Sequence, residues 1–272
     1  ARPAAGGSTS DDAPALRFAR RDELEHPSFA RAVALLRVGE LGSAERELEA
    51  SGLLADDASH DALWIAAAML DRAGAHTKAL ELARRRLGEP LMTSMPEGRD
   101  RALWRIAYPR AFHPLIDAAA ETEGVPSSFV RAIAREESSF RPDAVSVAHA
   151  YGLCQIIAPT AQRIARPLGL ASDPRSLRRP EINVRIGAAY MGALRRRFDP
   201  QPALVPAAYN AGEGAVERWL RERGALELDE FIEEIPYDET RRYSRRVLQT
   251  WGIYGWLDDG ALPRWPSALP SR

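Results

Sequence analysis

Apolar positions along the chain recur every three to four residues almost everywhere, carried by alanine and leucine with arginine on the intervening turns. Alternating β-branched runs are nearly absent. The pattern predicts an all-α chain. Residues 1–20, rich in Gly, Ser, Asp and Pro, read as a disordered lead-in. From about 26 to 88 the pattern forms two helical pairs. Leu35, Gly39 and Ala44 recur 35 residues on as Leu70, Gly74 and Ala79. That period suits stacked helical hairpins of the tetratricopeptide type, a packing or docking module open to a protein partner. Residues 21–100 are therefore taken as helical repeats plus a linker, EPLMTSMPEGRD, at 89–100. Helices then run from 101 to about 257, broken at Pro126, Pro142, Pro159, Pro174, Pro180, Pro202, Pro206 and Pro236. The last stretch, 258–272, has three prolines and reads as an extended tail, with Trp265 available to pack back on the body.

One stretch stands out. FVRAIAREESSF, residues 129–140, ends in adjacent glutamates. Pro126-Ser127-Ser128 offers a helix start with a serine N-cap. At roughly 100° per residue, Phe129, Val130, Ile133, Ala134 and Phe140 fall in one arc. Glu137 lies in the middle of that arc and Glu136 at its edge; Arg131 and Arg135 lie opposite. Glu137 is thus expected inside and Glu136 at the surface. A carboxyl in apolar surroundings holds its proton toward neutrality, as a general acid must. A buried ion pair with one of the many arginines is the alternative for Glu137.

Bulk properties narrow the partners. Net charge is -1, so no global field favours nucleic acid or an anionic membrane. No run of about 18 apolar residues exists to span a bilayer. The single cysteine, Cys154, excludes an intrachain disulfide. No Cys/His cluster suggests a metal, and nothing calls for a cofactor.

Downstream lie YGLCQIIAPTA (151–161), AAYNAGEGAV (207–216) and IPYDETRRY (235–243). With Glu137-Ser138, these segments resemble the catalytic domain of the soluble lytic transglycosylases, lysozyme-like enzymes that cleave peptidoglycan. The resemblance covers about 101–257. It implies N-terminal helical hairpins followed by a lysozyme-like α domain. It also implies Glu137 as the acid/base, and substrate contacts at Ser146, Gln155, Ile157, Tyr209, Asn210 and Glu239. It implies cleavage between N-acetylmuramic acid and N-acetylglucosamine, with the substrate's own C6 hydroxyl as nucleophile, and a bacterial periplasmic location.

Three positions depart from the family pattern. Cys154 stands for a methionine, Ile157-Ala158 for Met-Pro, and His149 where glycine is common. Glu239 with Arg241 also reads as a structural ion pair, and Glu213 and Glu217 as solvated charges. Two rival functions follow from the same residues. One is a lysozyme-type hydrolase with Glu239 or Asp143 as second carboxylate. The other is a non-catalytic wall-binding scaffold.

Overall fold

The computed structural model describes residues 18–88, 91, 97–98 and 100–270. The lead-in over 1–17 and most of the linker lie outside the described residues. The chain divides into two compact units, 1–109 and 110–272.

In the first unit a short helix α1 (Asp22–Glu25) precedes α2 (Pro27–Arg37), α3 (Leu41–Ala50), α4 (His60–Arg72) and α5 (His76–Arg86). Helices α2 and α3 pack as one hairpin and α4 and α5 as another. The 35-residue period is written in the backbone. Glu40 N donates to Leu35 O at 3.0 Å, and Ala75 N to Leu70 O at 2.9 Å. Gly39 and Gly74 close the two turns with φ of +79° and +76°, a region that favours glycine. Ala44 and Ala79 are both fully buried, small enough to let the paired helices approach. Helix α6 (Asp100–Ala107), which contains WRIA, sends Ile106 and Ala107 into this same core. The division at Pro109 therefore falls after that helix, nine residues beyond the boundary expected at 100.

The second unit holds α7 (His113–Glu123), α8 (Ser127–Ser138), α9 (Ala158–Ala165), α10 (Pro180–Arg197), α11 (Val205–Ala211), α12 (Glu213–Arg223), α13 (Leu228–Glu233) and α14 (Asp238–Asp259). Prolines mark where helices begin. Pro180 occupies the first turn of α10, Pro159 that of α9 and Pro206 that of α11, where a missing N–H costs nothing. Two strands of two residues each, β1 (Ala150–Tyr151) and β2 (Ile156–Ile157), pair antiparallel with Ala150 opposite Ile157. They are too short to leave an alternating pattern in the sequence.

Helix α8 packs along the 22-residue α14, with Phe129 and Trp251 rings 4.7 Å apart. Pro126, not a serine, occupies the N-cap of α8, and Ser128 Oγ instead accepts from Trp251 Nε1 at 3.2 Å. The two arginines expected opposite the core are buried as well. Arg131 donates to Asp117 at 2.9 Å and to Asp258, and its guanidinium sits over the Tyr254 ring. Helix α8 is enclosed on both sides, so its polar stripe meets partners instead of water.

After α14 the tail turns back. Trp265 stacks obliquely on Trp251 at 5.2 Å. Ser267 O accepts from Leu228 N at 2.8 Å, and buried Gln201 donates to Pro266 O at 2.6 Å. The proline-rich end is thus non-helical and anchored.

Candidate active site

Helix α8 stops abruptly at the acid. Ser139 and Phe140 adopt φ of +53° and +62°, which ends the helix directly after Ser138. Non-glycine residues in this region are held there only by their surroundings. Phe140 is buried as the wheel required, though it lies two residues past the helix end. Ser138 Oγ donates to Ala134 O and to Leu153 O at 2.9 Å, so the helix end is tied to the Gly-Leu-Cys-Gln segment.

That segment, residues 152–155, is held from four directions. Asn183 on α10, fully buried, accepts from Cys154 N at 2.7 Å and donates to Tyr151 O and Leu177 O, both at 2.8 Å. Tyr209 on α11 donates to Cys154 O at 2.7 Å. Gln155, itself at φ +46°, folds its amide onto Gly152 O at 2.9 Å and Ala144 O at 3.3 Å. The small Cys154 side chain fits against Gly187, where any Cβ would lie 2.7 Å from its sulfur. Burial pushes the Cys154 thiol up to about 12, so it is an inert packing group.

Glu137 faces this construction. Tyr243 on α14 donates to Glu137 Oε1 at 2.5 Å. Burial raises the Glu137 carboxyl from the ordinary 4.5 to about 7. The Tyr243 bond opposes that rise, the charge of Glu136 adds to it, Arg246 opposes it and Glu239 adds to it. The residue as a whole is intermediate in exposure. The arrangement supplies a carboxyl that carries a proton near neutral pH and can donate it.

Loss of the Tyr243 hydroxyl removes a donor that favours the ionised form. Tyr243→Phe is expected to raise the ionisation midpoint of Glu137 by about one pH unit, read by 13C NMR of the labelled carboxyl. An unchanged midpoint would show that the hydroxyl only orients the acid.

The structure gathers Glu137, Gln155 and Tyr209 around the 152–155 segment. Asn210 joins through α14, its Oδ1 accepting from Thr240 Oγ1 at 2.5 Å. Its Nδ2 has no protein partner among the described residues. Glu239 stands exposed on the first turn of α14, without an ion-pair partner among the described residues. Arg241 pairs with Asp238 instead of Glu239. Ile157 sits on the small β ribbon and Ser146 in the loop just before it. Ser146 Oγ accepts from Ala150 N at 3.1 Å, and Ile157 is 41% exposed. Neither is hydrogen-bonded to Glu137 among the described residues. Asp143 is exposed in the loop before them. His149 takes φ +55°, which accounts for a preference for glycine at that point. Glu213 and Glu217 are partly sheltered and paired, with Arg163 and Arg197, not free solvated charges.

Glu136 is the main departure from the sequence expectation. Its side chain is 6% exposed, bound by Arg135 at 2.7 Å and by Thr250 at 2.8 Å. Sequence reasoning also passed over Tyr243, the last residue of IPYDETRRY, and Asn183, which lies in no motif. Thr240, Tyr243, Ser244, Val247, Thr250 and Trp251 repeat at three- and four-residue steps. Polar residues on such a buried stripe are the signal that finds Tyr243.

A groove of about 940 Å³ lined by Leu228, Ile232, Leu248 and Trp265 shares no residue with this cluster. Volume therefore does not locate the chemistry; the sheltered carboxyl does.

Residues 114–232 match the family model described as the transglycosylase SLT domain. The soluble lytic murein transglycosylase of Escherichia coli strain K12 is 35% identical over 144 residues, covering 52% of this chain and 22% of that protein. Membrane-bound lytic murein transglycosylase C of Histophilus somni strain 2336 is 38% identical over 116 residues, 39% of this chain and 32% of that protein. The structure of an inactive mutant of the lytic transglycosylase Slt from Pseudomonas aeruginosa superposes with a TM-score of 0.66 at 31% identity, covering 90% of this chain and 38% of that one. The 70 kDa soluble lytic transglycosylase in complex with bulgecin A superposes with a TM-score of 0.71 at 25% identity, covering 93% and 40%. The chain thus spans well under half the length of the relatives it matches.

Proposed function

We propose that the C-terminal unit of this chain is a member of the transglycosylase SLT family, whose model it matches over residues 114–232, and that the protein is a peptidoglycan lytic transglycosylase with Glu137 as its single acid/base. The observation that carries the reading is the Glu137 carboxyl, sheltered and bonded by Tyr243, in a setting where burial pushes it up to about 7.

The reaction runs in two proton transfers. Glu137 gives its proton to the oxygen linking N-acetylmuramic acid to N-acetylglucosamine, and the C1–O bond breaks. Positive charge develops at C1. The ionised Glu137 then takes the proton of the muramyl C6 hydroxyl as O6 bonds to C1. The products are a free N-acetylglucosamine 4-hydroxyl and a 1,6-anhydromuramyl end, and no water is consumed. Glu137 returns protonated, so no outside acid or base is required.

Two carboxylates divide the work in an ordinary glycosidase. Here Glu239 and Asp143 are exposed to solvent, and Glu136 is held in an ion pair. This favours one carboxyl doing both jobs. Asn210 Nδ2 and the exposed face of Ile157 are offered to the sugar, with Glu239 at the rim. Tyr209 and Gln155 hold the segment that shapes the floor. The substrate places the protein in a bacterial periplasm. No helix among the described residues is long and apolar enough to cross a membrane. The N-terminal hairpins are read as a repeat module for a protein partner.

Digestion of purified sacculi in 18O-enriched water tests the reaction class. Released muramyl ends without 18O are expected. One 18O per cleavage would make the protein a lysozyme-type hydrolase, with Glu239 or Asp143 as the next residue to replace. Sacculi that bind the protein but release nothing would favour the scaffold reading.

A further inference from the structure

The single-acid mechanism leaves Glu136 without a task, yet the fold shelters it as thoroughly as a core residue. Its side chain is 6% exposed and that of Arg135 7%. Arg135 Nη1 donates to Glu136 Oε1 at 2.7 Å, Thr250 Oγ1 donates to the same oxygen at 2.8 Å, and Arg246 Nε stands 3.6 Å from Oε2. Both Thr250 and Arg246 come from α14, so the carboxylate joins the end of α8 to that helix. Desolvating two charges is expensive, and a buried ion pair is a poor way merely to fasten two helices. Here the pair sits one residue from the acid.

We infer that Glu136 is a positioning residue for Glu137, an immobilised anion that clamps the acid-bearing end of α8 onto α14 and opposes a second negative charge beside it. The inference rests on Glu137 being the general acid. The other groups facing Glu137 are known. Tyr243, Arg246 and Glu239 come from α14, Cys154 from the 152–155 segment and Tyr209 from α11. Cys154 and Tyr209 are neutral at working pH, both raised by burial. Arg246 is the cation that opposes Glu136 and Glu239. Removing either member of the Glu136–Arg246 contact should therefore move Glu137 in opposite directions.

The test is the ionisation midpoint of Glu137, read by 13C NMR of the labelled carboxyl, together with the pH dependence of sacculus cleavage. Glu136→Gln keeps the shape and the Thr250 bond but removes the charge. The midpoint and the alkaline limb of activity are expected to fall by about one pH unit. Glu136→Asp, which keeps the charge, should restore most of that shift. Arg246→Gln should raise both. A merely structural role would lower the melting temperature of Glu136→Gln and leave the midpoint in place, which overturns the inference. Should Glu136→Gln fail to fold, Arg246→Gln decides. Its target is 53% exposed, and a midpoint that does not rise contradicts the account. A wild type that cleaves nothing at any pH would sink the functional reading, while the NMR midpoints would still judge Glu136.

Discussion

Glu137→Gln is expected to lower peptidoglycan cleavage by at least about a thousandfold, because glutamine has the shape of the acid but no proton to give. The same substitution should stabilise the folded protein above neutrality. The unfolded carboxyl ionises near 4.5 and the folded one near 7. Below 4.5 both states hold the proton, and the group does not discriminate between them. As pH rises to about 7, the unfolded chain ionises while the folded one cannot. Stability is lost across that window, and the loss is complete above it. Glutamine does not titrate. Wild type and variant should therefore melt together near pH 4, and the variant should melt higher at pH 8 by the equivalent of a few kcal/mol. A variant that is equally stable at pH 8 would mean that Glu137 is not a strained, proton-holding group. Activity itself should fall as pH rises through about 7, since the acid must enter the reaction protonated.

The second large effect concerns the segment opposite the acid. Gly152 has φ +75°, and a Cβ there would lie 2.3 Å from Leu177 O and 2.4 Å from Asn183 Nδ2. Neither neighbour can yield. One is backbone, and the other is the buried amide that holds Cys154 and Tyr151 in place. Gly152→Ala combines left-handed strain with overpacking and should cost about 3 kcal/mol or more. The melting transition of the C-terminal unit should fall by roughly 6–12 °C. Cleavage at a permissive temperature should drop too, because Gln155 and the Cys154 carbonyl move with the loop. A variant melting within a degree of wild type would show that the segment is free to shift.

Much of this molecule was legible before its structure. The 35-residue period forecast two hairpins whose turns close with the same bond and the same left-handed glycine. Prolines marked breaks between helices. The turn of a helix put Glu137 inward without reference to any relative. The failures share one cause, which is that partners distant in sequence decide what a polar residue meets. Arg131 was placed only opposite the apolar arc because Asp258, 127 residues away, was not in view. Glu136 looked superficial because Thr250 and Arg246 arrive from the far end of the chain. Asn183 belongs to no motif, since its work is to bind three backbone groups that only the fold assembles. The β ribbon is too short for any periodicity to show.

The most direct test of the account is a mass spectrum of the soluble muropeptides released from purified peptidoglycan, with Glu137→Gln run alongside. The account predicts products lighter by one water than the hydrated muropeptides, released by the wild type and missing with the folded variant. Hydrated reducing ends, or a Glu137→Gln protein that cleaves at near the normal rate, would contradict it.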